Sequence, residues 1–168
     1  MNIYLVGFMG TGKSAVGAAL AKVNGFSVVD MDEEIVRREH MSIPEIFERK
    51  GEAYFRNAET SLLLDLERQG SMVVSCGGGV TLRQENREIM RRSGVTVYLT
   101  AKPETIFERV KDDENRPLLK GKKDVAHISE MMEERKSRYE SISDIAIATD
   151  EKNPEELATC IVDFIKGF

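Results

Sequence analysis

The stretch of sequence that decides the fold begins at Ile3 and ends at Ser14: Ile3-Tyr4-Leu5-Val6-Gly7-Phe8-Met9-Gly10-Thr11-Gly12-Lys13-Ser14. Its apolar beginning is typical of a buried strand, and its part from Gly7 onward fits the pattern GxxxxGK[ST]. The glycines allow the backbone to turn so that successive N–H groups point into one concavity, and the positive end of the following helix faces the same place. This stretch therefore predicts a strand, a phosphate-binding loop and a helix in immediate succession.

The polar residues of this loop suit the phosphates of ATP. Lys13 supplies a mobile positive charge for the β- and γ-phosphates, and the Ser14 hydroxyl is an oxygen ligand of the kind that Mg²⁺ prefers. The alternative is a glycine-rich turn that binds nothing, but such a turn does not need a lysine and a serine after its last glycine. We therefore expect the loop to bind ATP, with a magnesium ion at Ser14. The loop residues expected to contact ATP are Gly10, Thr11, Gly12, Lys13, Ser14 and Ala15.

Apolar runs alternate with longer amphipathic segments along the rest of the chain. The runs predicted as strands are Ile3–Val6, Phe26–Val29, Met72–Ser75, Val95–Leu99 and Asp144–Thr149. The segments with apolar residues at helical spacing are Lys13–Val23, Met31–Glu39, Pro44–Lys50, Glu52–Gln69, Leu82–Arg92, Pro103–Val110, Val125–Ser141 and Pro154–Lys166. This alternation is typical of an α/β fold, so we expect a parallel sheet of about five strands with helices on both faces.

Composition indicates one soluble globular domain. The chain has 168 residues, of which 41% are hydrophobic and 32% charged, so it is apolar enough to form one core and too apolar for a disordered chain. A net charge of −5 argues against general binding to nucleic acid or anionic membranes, because both need a cationic surface. Met1 leads into the first strand with neither a basic leader nor a membrane span, and Cys76 and Cys160 lack metal-ligand spacing. We therefore expect a cytoplasmic protein, and its small size favours a monomer.

Two carboxylates follow the second predicted strand, in Asp30-Met31-Asp32. In an open α/β sheet the carboxyl ends of the strands form the ligand-binding edge. Asp30 is expected to hold a metal through water while Asp32 accepts a hydrogen bond or a proton from a substrate hydroxyl. In the simpler interpretation, one of them caps the helix that begins near Met31. The sequence leaves both interpretations open.

Several motifs together resemble the shikimate kinase family. They span nearly the whole chain in the order and spacing of that family, and they are GFMGTGKS at 7–14, DMDEEI at 30–35, SIPEIFERKGEAYFRNAE at 42–59, GGG at 77–79, RPLL at 116–119 and Arg135-x-x-x-Tyr139. The resemblance implies a three-layer P-loop kinase fold with a mobile lid. It also implies that ATP phosphorylates the 3-hydroxyl of shikimate, on the chorismate route to aromatic amino acids.

The resemblance further implies which residues bind the acceptor: Asp32, Arg56, Gly77, Gly78, Gly79 and Arg135. Two guanidinium groups suit an acceptor that bears a carboxylate, because each can form bidentate hydrogen bonds with it. Arg56 also has a simpler interpretation as an ion-pair partner of Glu59. The corresponding interpretation for Arg135 is an ion pair with Glu130 or Glu134.

By the same resemblance, the catalytic residues are Lys13, Asp32 and Arg116. Arg116 lies in the charged, aperiodic segment Lys111–Asp124, which is expected to close as a lid over the transferring phosphoryl group. Arg109 and Pro154 are expected beside the adenine of ATP. The implied division of the single domain gives residues 1–30 and 71–110 to nucleotide binding, 31–70 to acceptor binding and 111–124 to the lid.

Two other functions remain open from the sequence. A P-loop kinase for another polyol acid such as gluconate does not need Arg56, the three glycines and Arg135 together. A noncatalytic ATP-binding module does not need an acceptor pocket. Cys76 adjoins the glycines but is expected to be a core residue, because phosphoryl transfer to a hydroxyl needs no thiolate.

Overall fold

The computed structural model describes residues 1–112 and 124–168. Arg116 and most of the predicted lid lie outside this part of the chain. In chain order the elements are β1 (Asn2–Val6), α1 (Lys13–Asn24), β2 (Ser27–Asp30), α2 (Met31–Glu39), α3 (Ile43–Lys50), α4 (Glu52–Gln69), β3 (Met72–Ser75), a 3-10 helix (Val80–Leu82), α5 (Gln84–Ser93), β4 (Gly94–Thr100), α6 (Pro103–Val110), α7 (Val125–Glu140), β5 (Ile145–Ala148) and α8 (Pro154–Lys166).

The strands form one parallel sheet in the order β2-β3-β1-β4-β5. The central strand β1 pairs with β3 through Leu5 and Ser75, and with β4 through Val6 and Tyr98. The carboxyl ends of β1, β2 and β3 therefore lie side by side, and the phosphate-binding loop, Asp32 and the three glycines all follow at this edge. The predicted α/β fold with a parallel sheet is confirmed.

The two faces of the sheet are covered by different helices. On one face, Tyr4 and Val6 of β1 belong to a core that includes residues of α2, α3, α4 and α5. On the other face, Ile3 and Leu5 pack in a core with α1 and α8. This alternation of side chains along β1 is the expected behaviour of a strand buried on both faces. Among the described residues, no helix combines the length and the apolarity needed to cross a membrane.

The segment after β3 differs from its prediction. A single helix was predicted from Leu82, but the structure has a 3-10 helix over Val80–Leu82 and α5 begins only at Gln84. Arg83 between them has an extended backbone, with φ −88° and ψ 133°, and this interrupts the helical path. Arg87 of α5 stabilises the 3-10 helix, because its guanidinium donates to the Thr81 carbonyl at 2.6 Å. Apolar spacing does not reveal this break at Arg83, so the predicted helix start at Leu82 is wrong.

Candidate active site

The phosphate-binding loop connects β1 to α1 in the predicted way. Gly12, the residue that precedes α1, has a left-handed backbone with φ 99°, which favours glycine. The N-terminus of α1 has no side-chain cap and no acidic residue in its first turn. Thr11 closes the loop on itself, because its hydroxyl donates to the Phe8 carbonyl at 2.8 Å. The N–H groups at this helix end are therefore available to an anion.

Lys13 lies across this loop. Its Nζ donates to the Gly7 carbonyl at 2.8 Å and to the Phe8 carbonyl at 3.1 Å. The ammonium group thus lies against the backbone of the loop, while Ser14 and Ala15 on the first turn of α1 are exposed. The arrangement fits phosphate binding, and the individual ATP contacts stay predictions.

Asp30 and Asp32 have different surroundings. Asp30 is the N-cap of α2, because its Oδ1 accepts from the backbone N–H of Glu33 at 3.1 Å. Asp32 lies in the first turn of α2, and burial together with the nearby charge of Asp30 raises the pKa of its carboxyl group. The positive charges of Lys13 and Arg56 offset only part of this increase in pKa, and their effect shows that both groups lie within electrostatic range of Asp32. The capping interpretation is correct for Asp30, and Asp32 is the carboxylate that faces the rest of the site.

The three glycines after β3 lie against functional side chains from three helices. A Cβ on Gly77 would stand 2.7 Å from Oδ1 of Asp32, and a Cβ on Gly78 would stand 3.2 Å from an Nη atom of Arg135. A Cβ on Gly79 would overlap the Arg56 guanidinium, at 2.6 Å from Cζ. Gly79 has φ −100°, which any residue adopts, so close approach and not backbone conformation requires glycine there. The structure thus brings together the predicted acceptor-binding residues.

Arg56 forms the ion pair that the simpler interpretation suggested. Its Nη1 donates to Oε2 of Glu59 at 2.9 Å, and the Glu59 side chain is only 1% exposed. Burial raises the pKa of Glu59, although the Arg56 charge opposes this effect. The Nε of Arg56 is buried and has no hydrogen-bond partner among the described residues. The ion pair with Glu59 fixes the guanidinium, and the side chain remains 17% exposed, so its accessible edge can donate to a further acceptor.

Arg135 approaches the same pocket from α7. Its Cζ lies 5.5 Å from the centroid of the Phe8 ring, and the hydroxyl of Tyr139 lies 3.4 Å from the Gly78 carbonyl. In the described part of the chain, no ion pair joins Arg135 to Glu130 or Glu134. Phe8, a loop residue between the glycines, was not singled out from the sequence, because its position in the motif accepts any residue. It connects the phosphate-binding loop to the acceptor side.

Arg109 links the phosphate-binding loop to Thr149, the residue that follows β5. Its guanidinium donates to the Gly10 carbonyl at 3.0 Å, and to the carbonyl and hydroxyl of Thr149 at 3.0 and 3.1 Å. Pro154 is the first residue of α8, directly after the capping residue Asn153. Their adenine contacts stay predictions, as does the role of Arg116, which lies outside the described residues.

Cys76 is a core residue, as expected. Its side chain is 3% exposed, and burial raises the pKa of its thiol. Because the thiolate is the reactive form, we expect iodoacetamide to alkylate the partly exposed Cys160 in the native protein and to leave Cys76 unmodified. Peptide mass spectrometry measures both sites, and denatured protein provides the control in which both react. Equal labelling of Cys76 and Cys160 in the native protein would contradict the buried placement.

Comparison with known proteins agrees with this geometry. The family model for shikimate kinase matches residues 9–166. The shikimate kinase of Persephonella marina is 44% identical over 165 residues, which cover 98% of this chain and 99% of that protein. A solved shikimate kinase from Acinetobacter baumannii, in complex with shikimate, is 36% identical with a TM-score of 0.89, covering 99% of this chain and 93% of that one.

A gluconokinase from Sinorhizobium meliloti is also similar in structure, with a TM-score of 0.58 over 99% of this chain and 95% of that one. It is only 17% identical, so this likeness shows a shared fold and does not favour gluconate as the acceptor. The full-length matches to shikimate kinases, together with the assembled Asp32, Arg56, three-glycine and Arg135 site, show that the chain belongs to the shikimate kinase family.

Proposed function

We propose that this enzyme transfers the γ-phosphoryl group of ATP to the 3-hydroxyl of shikimate, giving 3-phosphoshikimate and ADP on the chorismate route. The observation that carries the proposal is the convergence of Arg56, Arg135 and Asp32 on the three glycines beside the phosphate-binding loop. Two cationic groups and one carboxylate in this position suit an acceptor that bears both a carboxylate and hydroxyl groups.

The acceptor carboxylate is bound by the two arginines. The Arg56 guanidinium is held by Glu59 while its side chain stays 17% exposed, so its accessible edge can donate to a carboxylate oxygen. Arg135 provides the second guanidinium. The backbone beside Gly77, Gly78 and Gly79 allows the acceptor ring to approach closely because no Cβ intervenes.

Phosphoryl transfer then depends on positioning and on charge. Asp32 accepts a hydrogen bond from the acceptor hydroxyl and orients it toward the γ-phosphate. Its raised pKa brings it closer to the range of a proton acceptor, although a loose transition state demands little early deprotonation. Lys13 and the N–H groups of the loop stabilise the charge on the phosphoryl oxygens, and we assign Arg116 to the same task.

The site fits a magnesium ion. Magnesium in such enzymes takes few protein ligands and is bound largely by phosphate oxygens and water. The Ser14 hydroxyl and, through water, the Asp30 carboxylate would hold it. The charge of Asp30 acts on Asp32, so the two carboxylates are close enough to favour a cation near them. When bound, the ion supplies positive charge to the β- and γ-phosphates.

The proposal extends to location and partners. We expect a monomeric cytoplasmic enzyme whose partners are ATP and shikimate, because the net charge of −5 gives no general affinity for nucleic acid or membranes. Its adenine site includes Arg109 and Pro154. The division into residues 1–30 and 71–110 for nucleotide, 31–70 for acceptor and 111–124 for the lid is part of this proposal.

The direct test is ADP release from Mg-ATP in a coupled assay with shikimate, gluconate, nucleoside monophosphates or no acceptor. We expect ADP formation that depends on shikimate, with phosphoshikimate identified by mass spectrometry. Turnover with gluconate alone would overturn the acceptor assignment and leave the ATP site intact. ATP binding without turnover on any acceptor would favour a noncatalytic module.

Gly79→Ala is expected to raise KM for shikimate at least tenfold, about the effect of one weakened charged hydrogen bond. The reason is steric, because the new methyl group would displace the Arg56 guanidinium. KM for ATP should stay nearly unchanged. Steady-state kinetics with each substrate varied in turn measures both values.

Gly17→Ala is the matched control for this substitution. A Cβ there would make ordinary contacts, the nearest at 3.6 Å to Leu5, and an alanine within a helix is more stable than glycine by about 0.5–1 kcal/mol. We expect unchanged kinetics and a slightly higher melting temperature. An unchanged shikimate KM in Gly79→Ala would show that Arg56 does not need its place against Gly79.

A further inference from the structure

We propose that Thr60 and Asn86 are positioning residues for acceptor binding, because they hold the three-glycine loop at a fixed distance from Arg56. The inference rests on the proposed function, since it concerns the site where Arg56 binds the acceptor carboxylate. Thr60 is 7% exposed and Asn86 is 0% exposed, so both polar side chains are buried between α4, α5 and the 3-10 helix. The hydrogen bonds of Thr60 and Asn86 described below do not involve any side chain that is assigned to acceptor binding.

The direction of each hydrogen bond in this pair follows from chemistry. Nδ2 of Asn86 donates to the Val80 carbonyl at 2.9 Å, and a carbonyl only accepts, so the amide orientation is determined. Oδ1 of Asn86 therefore faces Thr60, whose hydroxyl lies 2.7 Å away and must donate to it. The hydroxyl has a single proton, so its 3.2 Å approach to the Arg56 carbonyl, one helical turn earlier in α4, is only a secondary contact. A chain of hydrogen bonds thus runs from the Thr60 side chain on α4 through Asn86 to the carbonyl of Val80, the residue directly after Gly79.

This chain of hydrogen bonds fixes the distance between the three-glycine loop and the Arg56 guanidinium, on which acceptor binding depends. Val80 follows Gly79, and the Arg56 guanidinium lies so close to Gly79 that a single methyl group would overlap it. Arg56 and Thr60 are one turn apart on α4, so the helix contacts the loop twice, once through the guanidinium and once through Thr60 and Asn86. The second contact keeps the loop from moving toward or away from the guanidinium. Arg87 supports the same segment by donating to the Thr81 and Leu82 carbonyls.

A packing role alone does not explain this choice of residues. Valine and leucine have nearly the shapes of threonine and asparagine, and a buried apolar pair avoids the cost of desolvating polar groups. A buried polar pair that is fully satisfied gives one defined arrangement of the elements it joins. Here the elements joined are the helix that carries Arg56 and the loop that faces it.

The test compares Thr60→Val, which removes the hydroxyl and keeps the shape, with Thr60→Ser, which keeps the hydroxyl. We expect Thr60→Val to raise KM for shikimate about three- to tenfold, the effect of one lost hydrogen bond, with KM for ATP unchanged. Thr60→Ser should restore the shikimate KM to within about twofold of the parent enzyme, because the donor to Asn86 is present again. Melting temperatures are measured for each variant.

The double variant Thr60→Val with Asn86→Leu tests the connection itself. If Thr60 acts through Asn86, the shikimate KM of the double variant rises no further than that of the worse single variant, since coupled residues are not additive. Thr60→Ala serves as a second variant if Thr60→Val does not fold, with the same expected difference between the two substrates. An equal rise in both KM values, a fall in melting temperature alone, or additive effects would overturn the proposal. A parent enzyme without shikimate-dependent turnover would instead overturn the proposed function.

Discussion

Arg56→Ala is expected to lower kcat/KM for shikimate by about 10²- to 10³-fold, because truncating one partner of a buried, hydrogen-bonded charge pair costs about 2–5 kcal/mol. The Arg56 side chain is 17% exposed and is held by Glu59 against Gly79. KM for ATP should change little, since the phosphate-binding loop does not depend on this group. Initial rates with each substrate varied separately give the two constants.

The control for this substitution must separate binding from stability. Arg56→Ala leaves the buried carboxylate of Glu59 without its partner, which itself destabilises the fold. The double variant Arg56→Ala with Glu59→Gln removes that unpaired charge, so we expect it to melt at a higher temperature than Arg56→Ala while the shikimate defect remains. Arg37→Ala removes a guanidinium that is 72% exposed and should leave the kinetics unchanged. Equal losses with a carboxylate acceptor and with an acceptor that lacks the carboxylate would refute the assigned role of Arg56.

Lys13→Ala is expected to lower kcat by about 10²- to 10³-fold, the usual effect of removing one donor that stabilises charge in the transition state. Nζ of Lys13 donates to the Gly7 and Phe8 carbonyls, so its positive charge already lies at the phosphate-binding loop. The shikimate KM should be nearly unaffected, in contrast to the Arg56 variants. Single-turnover phosphoryl transfer measures the chemical step directly.

Lys22→Ala is the matched control for Lys13. Lys22 lies on the same helix in its last turn, is exposed, and is remote from the loop. We expect its substitution to leave kcat and both KM values unchanged. If Lys13→Ala retained the parent kcat, the assignment of the loop as the site of transfer would be wrong.

The parts of the fold that depend on local sequence were predictable. The strand, glycine-rich turn and helix around Lys13 follow from patterns within a short stretch, and so do most helix and strand positions. The start of α5 was not predictable, because the helical path is interrupted by the extended backbone of Arg83. A break of this kind leaves no signal in the spacing of apolar residues.

The sequence indicated which residues form the candidate site, but it did not indicate how those residues contact one another. Asp32, Arg56, the glycines and Arg135 were identified by resemblance, but the contact between Arg56 and Gly79 joins residues from different elements. The same aspartate pattern suits a metal ligand and a helix cap: the structure shows that Oδ1 of Asp30 is the cap, and the magnesium role of its carboxylate stays a prediction. Thr60 and Asn86 carried no signal at all, since a polar residue in a helix is usually exposed and these two meet only in the folded chain.

The bare N-terminus of α1 has a consequence for how this enzyme tolerates heat. Because the N-cap of α1 is Gly12, the first turn has no side-chain hydrogen bond, and compared with a capping serine or aspartate this costs about a few tenths of a kcal/mol. In the proposed ATP complex, the nucleotide phosphates would take the place of that cap, so the ligand would complete the folded state. Binding to the native state alone stabilises it by about 2.7 kcal/mol when the ligand concentration is a hundred times its dissociation constant. In a cell rich in ATP, the working stability of this protein is therefore a property of the complex, and the empty chain is the form most exposed to unfolding and proteolysis.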